Sequence, residues 1–207
     1  MSYEYWDKVY AAKDIKYAEY DGWLNKYQSI WENAKNIIDL GCGCGVNSIF
    51  LHEHNINALI CDFSKVALTL VKSAIPTAQI MCFDMTERLP FEDGFSDLVI
   101  ADLSLHYFSK AETLNTLRDI YRVLSKNGHL LCRVNSVKDF EKNENKQDKE
   151  VEHHLYESLK GIKRFFDRDD IDVFFNDWEI EYSAEIEANK YRYTKYAWEI
   201  CAGKKGI

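Results

Sequence analysis

The sequence has no excess of basic residues. Its 26 Lys and Arg stand against 34 Asp and Glu, for a formal charge of -8. A surface built to neutralise duplex phosphates needs a basic footprint, so no nucleic-acid partner is expected. No apolar run is long enough to span a bilayer, and the first residues do not read as a secretory leader. A cytoplasmic location without a membrane partner is therefore expected. No segment recurs. At 207 residues the chain is too short for two full-sized domains, which predicts a single domain over residues 1–207. The six cysteines form no metal-ligand pattern. Cys42 and Cys44 are separated by one residue with no second pair nearby, and the others mostly fall in apolar, strand-like runs, so they read as reduced thiols. His153 and His154 are adjacent, and neighbouring side chains point in different directions in a helix or a strand. No metal site is expected.

What is present is organised around Ile37-Ile38-Asp39-Leu40-Gly41-Cys42-Gly43-Cys44-Gly45. An apolar run ends in three glycines spaced two apart, and helical spacing resumes from Val46 to His54. This predicts a strand, a tight turn and a helix whose free N–H groups face a ligand. The ligand is not a dinucleotide or a P-loop phosphate. Val46 stands where the dinucleotide fingerprint needs its third glycine, and the turn lacks a Gly-Lys-Ser/Thr ending. Asp39, two residues before the first glycine, would repel a pyrophosphate but suits a cation such as an ammonium.

Further strands follow at Ala58–Phe63, Ala78–Phe83, Asp97–Ala101 and His129–Val134, alternating with amphipathic helices. The first of these ends at Asp62, about twenty residues beyond the glycines, where an α/β nucleotide site places its ribose carboxylate. Ser64 then caps a helix. The strand from Asp97 runs into Asp102-Leu103-Ser104-Leu105-His106-Tyr107-Phe108, at the sheet edge where open α/β sheets bind ligands. Residues 138–165 begin with a run of Lys, Glu, Asp and Asn lacking an apolar period and read as a charged insertion or loop. Residues 1–31 open with Tyr3-Glu4-Tyr5-Trp6 and read as a helical cap or lid, in which the aromatic Trp6 or Tyr10 can lie over a bound cation and exclude water. Trp178–Glu187 and Tyr193–Ala202 read as the last two strands, turning at Asn189-Lys190.

The Asp-Leu-Gly-x-Gly-x-Gly turn resembles motif I of the class I S-adenosylmethionine-dependent methyltransferases. The Asp62-Phe63-Ser64 junction, the Pro90-Phe91 to Phe95-Asp97 run and Ser104-Leu105-His106-Tyr107-Phe108 are similar to later stretches of that family. The Arg164-Phe165-Phe166 to Trp178 run and the N-terminal aromatics are loosely similar to small bacterial tellurite-resistance and thiopurine methyltransferases. The resemblance implies an α/β, Rossmann-like three-layer sandwich whose seven-stranded, mostly parallel sheet ends in an antiparallel C-terminal hairpin. It implies S-adenosylmethionine as cofactor and S-adenosylhomocysteine as product. By position it assigns cofactor binding to Trp6, Asp39, Gly41, Cys42, Gly43, Asn47, Asp62, Phe63, Asp84, Met85, Asp102 and Leu103. Tyr10, His106 and Tyr107 are expected to meet the acceptor, and His106 is the candidate proton acceptor because its intrinsic pKa suits transfer near neutrality. The strand-four end lacks the Asn/Asp-Pro-Pro-Tyr/Phe run of nucleic-acid amino-methyltransferases. A small-molecule acceptor is thus expected, whose nucleophile attacks the methyl group in line as the thioether leaves, on a monomer or homodimer. The alternatives are a protein side-chain methyltransferase and a non-catalytic cofactor binder.

Overall fold

The computed structural model describes residues 3–12, 20–143, 147–158, 161–188 and 194–205. Short apolar runs form β1 (Ile37–Leu40), β2 (Leu59–Asp62), β3 (Gln79–Cys82) and β4 (Ser96–Asp102), followed by β5 (Leu124–Asn135), β9 (Trp178–Ala188) and β10 (Lys195–Lys204). They make one seven-stranded sheet in the order β3-β2-β1-β4-β5-β10-β9. The pairings among β1 to β5 are parallel, whereas β10 runs antiparallel to both β5 and β9. The expected seven-stranded sheet with its antiparallel end is thus the observed one. Asn127 and Gly128, just before the strand expected from His129, lie inside β5, where the register to β4 shifts between the Ser96–Leu124 and Leu98–His129 pairs.

Alternation along the strands divides the core into layers. Ile38, Leu40, Val99, Ala101, Leu130, Cys132 and Val134 pack with Leu117 and Ile120 of α5 (Lys110–Val123) and with Ile171 and Phe174 of α7 (Arg168–Phe174). Their neighbours Ile37, Leu98, Ile100 and Leu131 face the other way. They meet Trp23 and Leu24 of a 3₁₀ turn (Trp23–Tyr27), Trp31 of α2 (Gln28–Trp31), and Phe50 and Leu51 of α3 (Val46–Glu53). Ile60 meets Leu68 and Val71 of α4 (Lys65–Ala74). Each buried aliphatic side chain contributes about 1.5–3 kcal/mol. Helix starts are fixed locally: Ser64 Oγ accepts from Ala67 N, and Ser109 and Glu112 form a capping box.

The charged run Lys138 to Glu152, with the residues that follow it to 165, is more ordered than the loop expected of that run. Their described part folds as α6 (Val137–Asn143) and a separate antiparallel sheet of β6 (Lys149–Glu152), β7 (Leu155–Ser158) and β8 (Gly161–Arg164). The strands are too short to print an apolar period. Their cohesion comes from Phe140 stacked on Tyr156 at 3.9 Å between centroids, with Phe165 against both. The opposed directions expected for His153 and His154 are also not observed. His154 has a left-handed backbone (φ 55°) in the β6–β7 turn, and the two imidazoles stack at 3.8 Å with 29° between their planes. The N-terminal region supplies α1 (Tyr3–Ala11), the 3₁₀ turn and α2. The expected Asn189-Lys190 turn lies outside the described residues.

Candidate functional site

The glycine turn joins β1 to α3 at the edge where β1 and β4 end. Gly41 N and Cys42 N both donate to Cys61 O, at 2.8 and 3.0 Å, which ties the turn to β2. Gly41 has φ 71°, and a Cβ there would lie 2.5 Å from Ser104 Cβ and 2.8 Å from Met85 Cε. Gly43 has φ 55°, and a Cβ there would meet Tyr10 Oη at 2.9 Å. At Gly41 the close approach leaves no room for a side chain, and at both positions the left-handed backbone favours glycine.

Four carboxylates ring the turn in different states. Asp39 is buried; its Oδ2 accepts from Ser48 Oγ and its Oδ1 has no hydrogen-bond partner. Burial pushes its pKa up to about 7, against the Ser48 bond, and the charges of Asp102 and Asp62 add to the rise. Asp62 is also buried, and its carboxylate accepts from Gly43 N and Ser64 N, both at 2.9 Å. Burial raises its pKa, while these N–H donors pull it down. Asp84 is exposed and its Oδ1 accepts from Thr86 N and Thr86 Oγ1 in a strand-end turn. Asp102 is held by Arg133, whose Nε and Nη2 donate to its two oxygens at 2.7 and 2.8 Å.

Arg133 is the residue that the sequence reading missed. It is 1% exposed, its Nη1 donates to Asp21 at 2.7 Å, and its guanidinium lies 4.7 Å from the Trp23 ring. The available signal was a single charge inside the apolar β5 run. Asn47 completes the group, accepting from Trp23 Nε1 at 2.9 Å. Leu103, beside it, has a left-handed backbone (φ 56°) and donates its N–H to Arg133 O. A non-glycine residue in that region is strained and is held there by its surroundings.

Aromatic rings cover the turn. Trp6 stacks on Tyr10 at 5.6 Å and meets Tyr107 edge-on at 5.1 Å. Asp7 anchors their helix by accepting from Ser64 Oγ. Burial, with the Asp62 charge second, drives the Tyr10 phenol far above its usual range, so it stays protonated. Phe63 and Met85 are half-buried, and Met85 Cε approaches Gly41. Cys42 is half-buried and burial pushes its thiol up, so it is an inert wall rather than a thiolate.

His106 lies beyond β4, buried, with its ring 4.3 Å from that of Tyr107 and Nδ1 without a partner. Burial, with the nearby Lys195 and Lys163, pushes its pKa well below 6.5, so the imidazole is neutral. Its carbonyl accepts from Arg164 N at 2.7 Å, while Phe166 N donates to Asn135 O at 2.8 Å. One extended segment thus holds the ends of both β4 and β5. The structure therefore brings Trp6, Tyr10, the glycine turn, Asp62, Met85 and Tyr107 together, and turns Asp84 and Asp102 toward other protein groups.

A methyltransferase-domain family model matches residues 37–128. The YqeM protein of Bacillus subtilis, assigned as a methyltransferase, is 31% identical over 126 residues, which are 59% of this chain and 51% of that one. The chain spans about half the length of the curated relatives that it matches. The PH0226 protein of Pyrococcus horikoshii superposes with a TM-score of 0.77 at 16% identity, over 96% of this chain and 99% of that one. A Burkholderia thailandensis 1,6-didemethyltoxoflavin N1-methyltransferase, solved with S-adenosylhomocysteine, superposes with a TM-score of 0.68 at 14% identity, over 96% and 81%. Residues 37–128 thus match a methyltransferase domain, and the fold is shared with solved S-adenosylmethionine-dependent methyltransferases.

Proposed function

We propose that this protein transfers the methyl group of S-adenosylmethionine to a nucleophile on a small molecule. The observation that carries the reading is the buried, unpartnered Asp39 Oδ1 beneath a glycine turn with no room for side chains. An acceptor atom left unpaired in a buried site is costly, and an ammonium group of the cofactor satisfies it. Asp62, which holds Gly43 N on one oxygen and Ser64 N on the other, has remaining lone pairs for ribose hydroxyls. Phe63 and Met85 wall the adenine position and Trp6 covers the turn. When bound, the cofactor supplies a methyl group already activated by a sulfonium charge.

The chain's own task is then to align the acceptor and keep water away. Holding two reactants at near-attack distance contributes about 7–11 kcal/mol at best. The Trp6, Tyr10 and Tyr107 rings exclude water over the turn. His106 Nδ1 is buried and unpartnered on a neutral imidazole, and the burial that keeps it neutral also makes it a weak base, so it orients an acceptor by a hydrogen bond rather than holding its proton near neutral pH. The rings of Trp6, Tyr10 and Tyr107 over the turn favour a compact acceptor over a macromolecule.

The test is thermal unfolding with S-adenosylhomocysteine, S-adenosylmethionine or NAD, followed by transfer of labelled methyl to a metabolite fraction and to a protein fraction. At a hundredfold excess over its dissociation constant a ligand stabilises by about 2.7 kcal/mol, or roughly 5–11 °C here. The two adenosyl ligands should give that shift and NAD none. Asp62→Ala should abolish most of it, and label should appear in the small-molecule fraction. Label confined to protein would replace the acceptor class. Binding without transfer to either would leave a cofactor binder, and an NAD shift alone would overturn the reading.

A further inference from the structure

Among the described residues, one group of metal-ligating side chains converges outside the glycine-turn site: His153, His154, Asp167 and Asp170. One ligand atom from each lies within 4.8 Å of all the others. The two carboxylates alone are an ordinary capping box of α7. Asp167 Oδ1 accepts from Asp170 N, and Asp170 Oδ2 accepts from Asp167 N. That box uses one oxygen of each and leaves Asp167 Oδ2 and Asp170 Oδ1 toward the histidines. His154 Nδ1 lies 3.9 Å from Asp167 Oδ2 and 2.6 Å from Asp170 Oδ2, and His153 Nε2 lies 3.9 Å from Asp170 Oδ1.

The imidazoles distinguish this cluster from a patch of surface acids. In an extended strand adjacent histidines diverge, but the left-handed His154 backbone brings both rings to one side, stacked at 3.8 Å. We infer that His153, His154, Asp167 and Asp170 form a binding site for a divalent first-row transition ion of the zinc class, which fastens the β6–β7 turn to α7. Two imidazole nitrogens with two carboxylate oxygens suit zinc, cobalt or nickel, whereas calcium and magnesium want oxygen alone. A four-coordinate ion needs ligand atoms roughly 3.4 Å apart, from bonds of about 2.0–2.2 Å. Reaching that from the present spread takes rotamer changes at His153 and Asp167, whose side chains are 71% and 42% exposed, and opening of the 2.6 Å His154 Nδ1–Asp170 Oδ2 hydrogen bond, with Asp170 turning Oδ1 to the ion.

The site is independent of the proposed methyl transfer, yet it backs the same region. Phe165 N donates to His154 O and Arg164 Nη1 to His153 O, both at 2.8 Å, while Arg164 N donates to His106 O. An ion at the turn therefore fixes the segment on which His106 rests.

The experiment is a Co²⁺ titration of the chelator-treated full chain, read by visible absorption, with Zn²⁺, Mg²⁺ and Ca²⁺ as competitors. One Co²⁺ per chain is expected, with the d–d bands of a four-coordinate nitrogen–oxygen site, displaced by Zn²⁺ and not by Mg²⁺ or Ca²⁺. His153→Ala and Asp167→Asn should each weaken binding by at least about tenfold. Asn retains the capping oxygen, so the second variant keeps α7 folded, which circular dichroism checks. Zn²⁺ should raise the unfolding midpoint of the wild-type chain and not that of the double variant. A sulfur-to-cobalt charge-transfer band would place the ion on cysteines and overturn the site. So would the absence of stoichiometric binding, equal competition by Mg²⁺, or affinity unchanged in both variants.

Discussion

Asp39 is a single buried side chain whose ionisation costs stability. Its folded-state pKa of about 7 lies above the usual 3.8. Between those values the folded protein keeps a proton that the unfolded chain releases, so this group favours the fold at about pH 4 and loses that contribution as pH rises toward 7. A three-unit shift is worth at most about 4 kcal/mol. Asp39→Asn should therefore melt higher than the ligand-free wild type at pH 8, by about 1–4 kcal/mol, with the gap shrinking toward pH 4.5. The same variant should bind S-adenosylhomocysteine at least about tenfold more weakly, because the carboxylate that attracts the ammonium is gone. Melts at the two pH values and calorimetric titration read both effects. A gap that does not change with pH would mean that Asp39 is ionised in the folded protein.

α1 contributes little to the core. Of its residues only Tyr10 is buried, and its attachments are the Asp7–Ser64 bond and the Trp6–Tyr10–Tyr107 rings. Each ring pair is worth about 0.5–1.5 kcal/mol. Trp6→Ala should accordingly cost about 1–3 kcal/mol of cofactor affinity and less than about 1 kcal/mol of global stability. Parallel binding and urea-unfolding measurements check the split; an equal loss in both would make α1 a structural helix. The aromatic cluster of α1 was legible because its residues lie within a few positions. The three-stranded sheet of residues 149–164 was not, because its apolar contacts Phe140, Tyr156 and Phe165 are scattered among charges and meet only after folding.

At the scale of the whole molecule, Arg133 ties the N-terminal region to the ligand edge of the sheet by pairing with both Asp21 and Asp102. Removing one partner of a buried ionic group strands the others, at about 3–5 kcal/mol. Arg133→Met should lower the melting midpoint by roughly 6–20 °C for a chain of this size. A drop under about 2 °C, read by calorimetry, would mean that water takes over the two carboxylates. The outer strand β9 presents Glu179, Glu181, Glu185 and Glu187, a charged edge that resists pairing with another sheet.

The sequence by itself determined the glycine turn, the strand–helix alternation and the positions of Asp39, Asp62 and His106. These depend on contacts within a few residues: backbone freedom at Gly41 and Gly43, apolar period and caps. Only the tertiary structure decided what each acid faces. Asp39 and Asp102 look alike as strand-end carboxylates, yet one keeps an unpaired oxygen while the other is clasped by an arginine 31 residues away. It also decided that His153 and His154 share one side, since one left-handed residue in a turn reverses the alternation that a strand imposes. Side-chain partners and turn handedness are set by long-range packing, which leaves no local period in the chain.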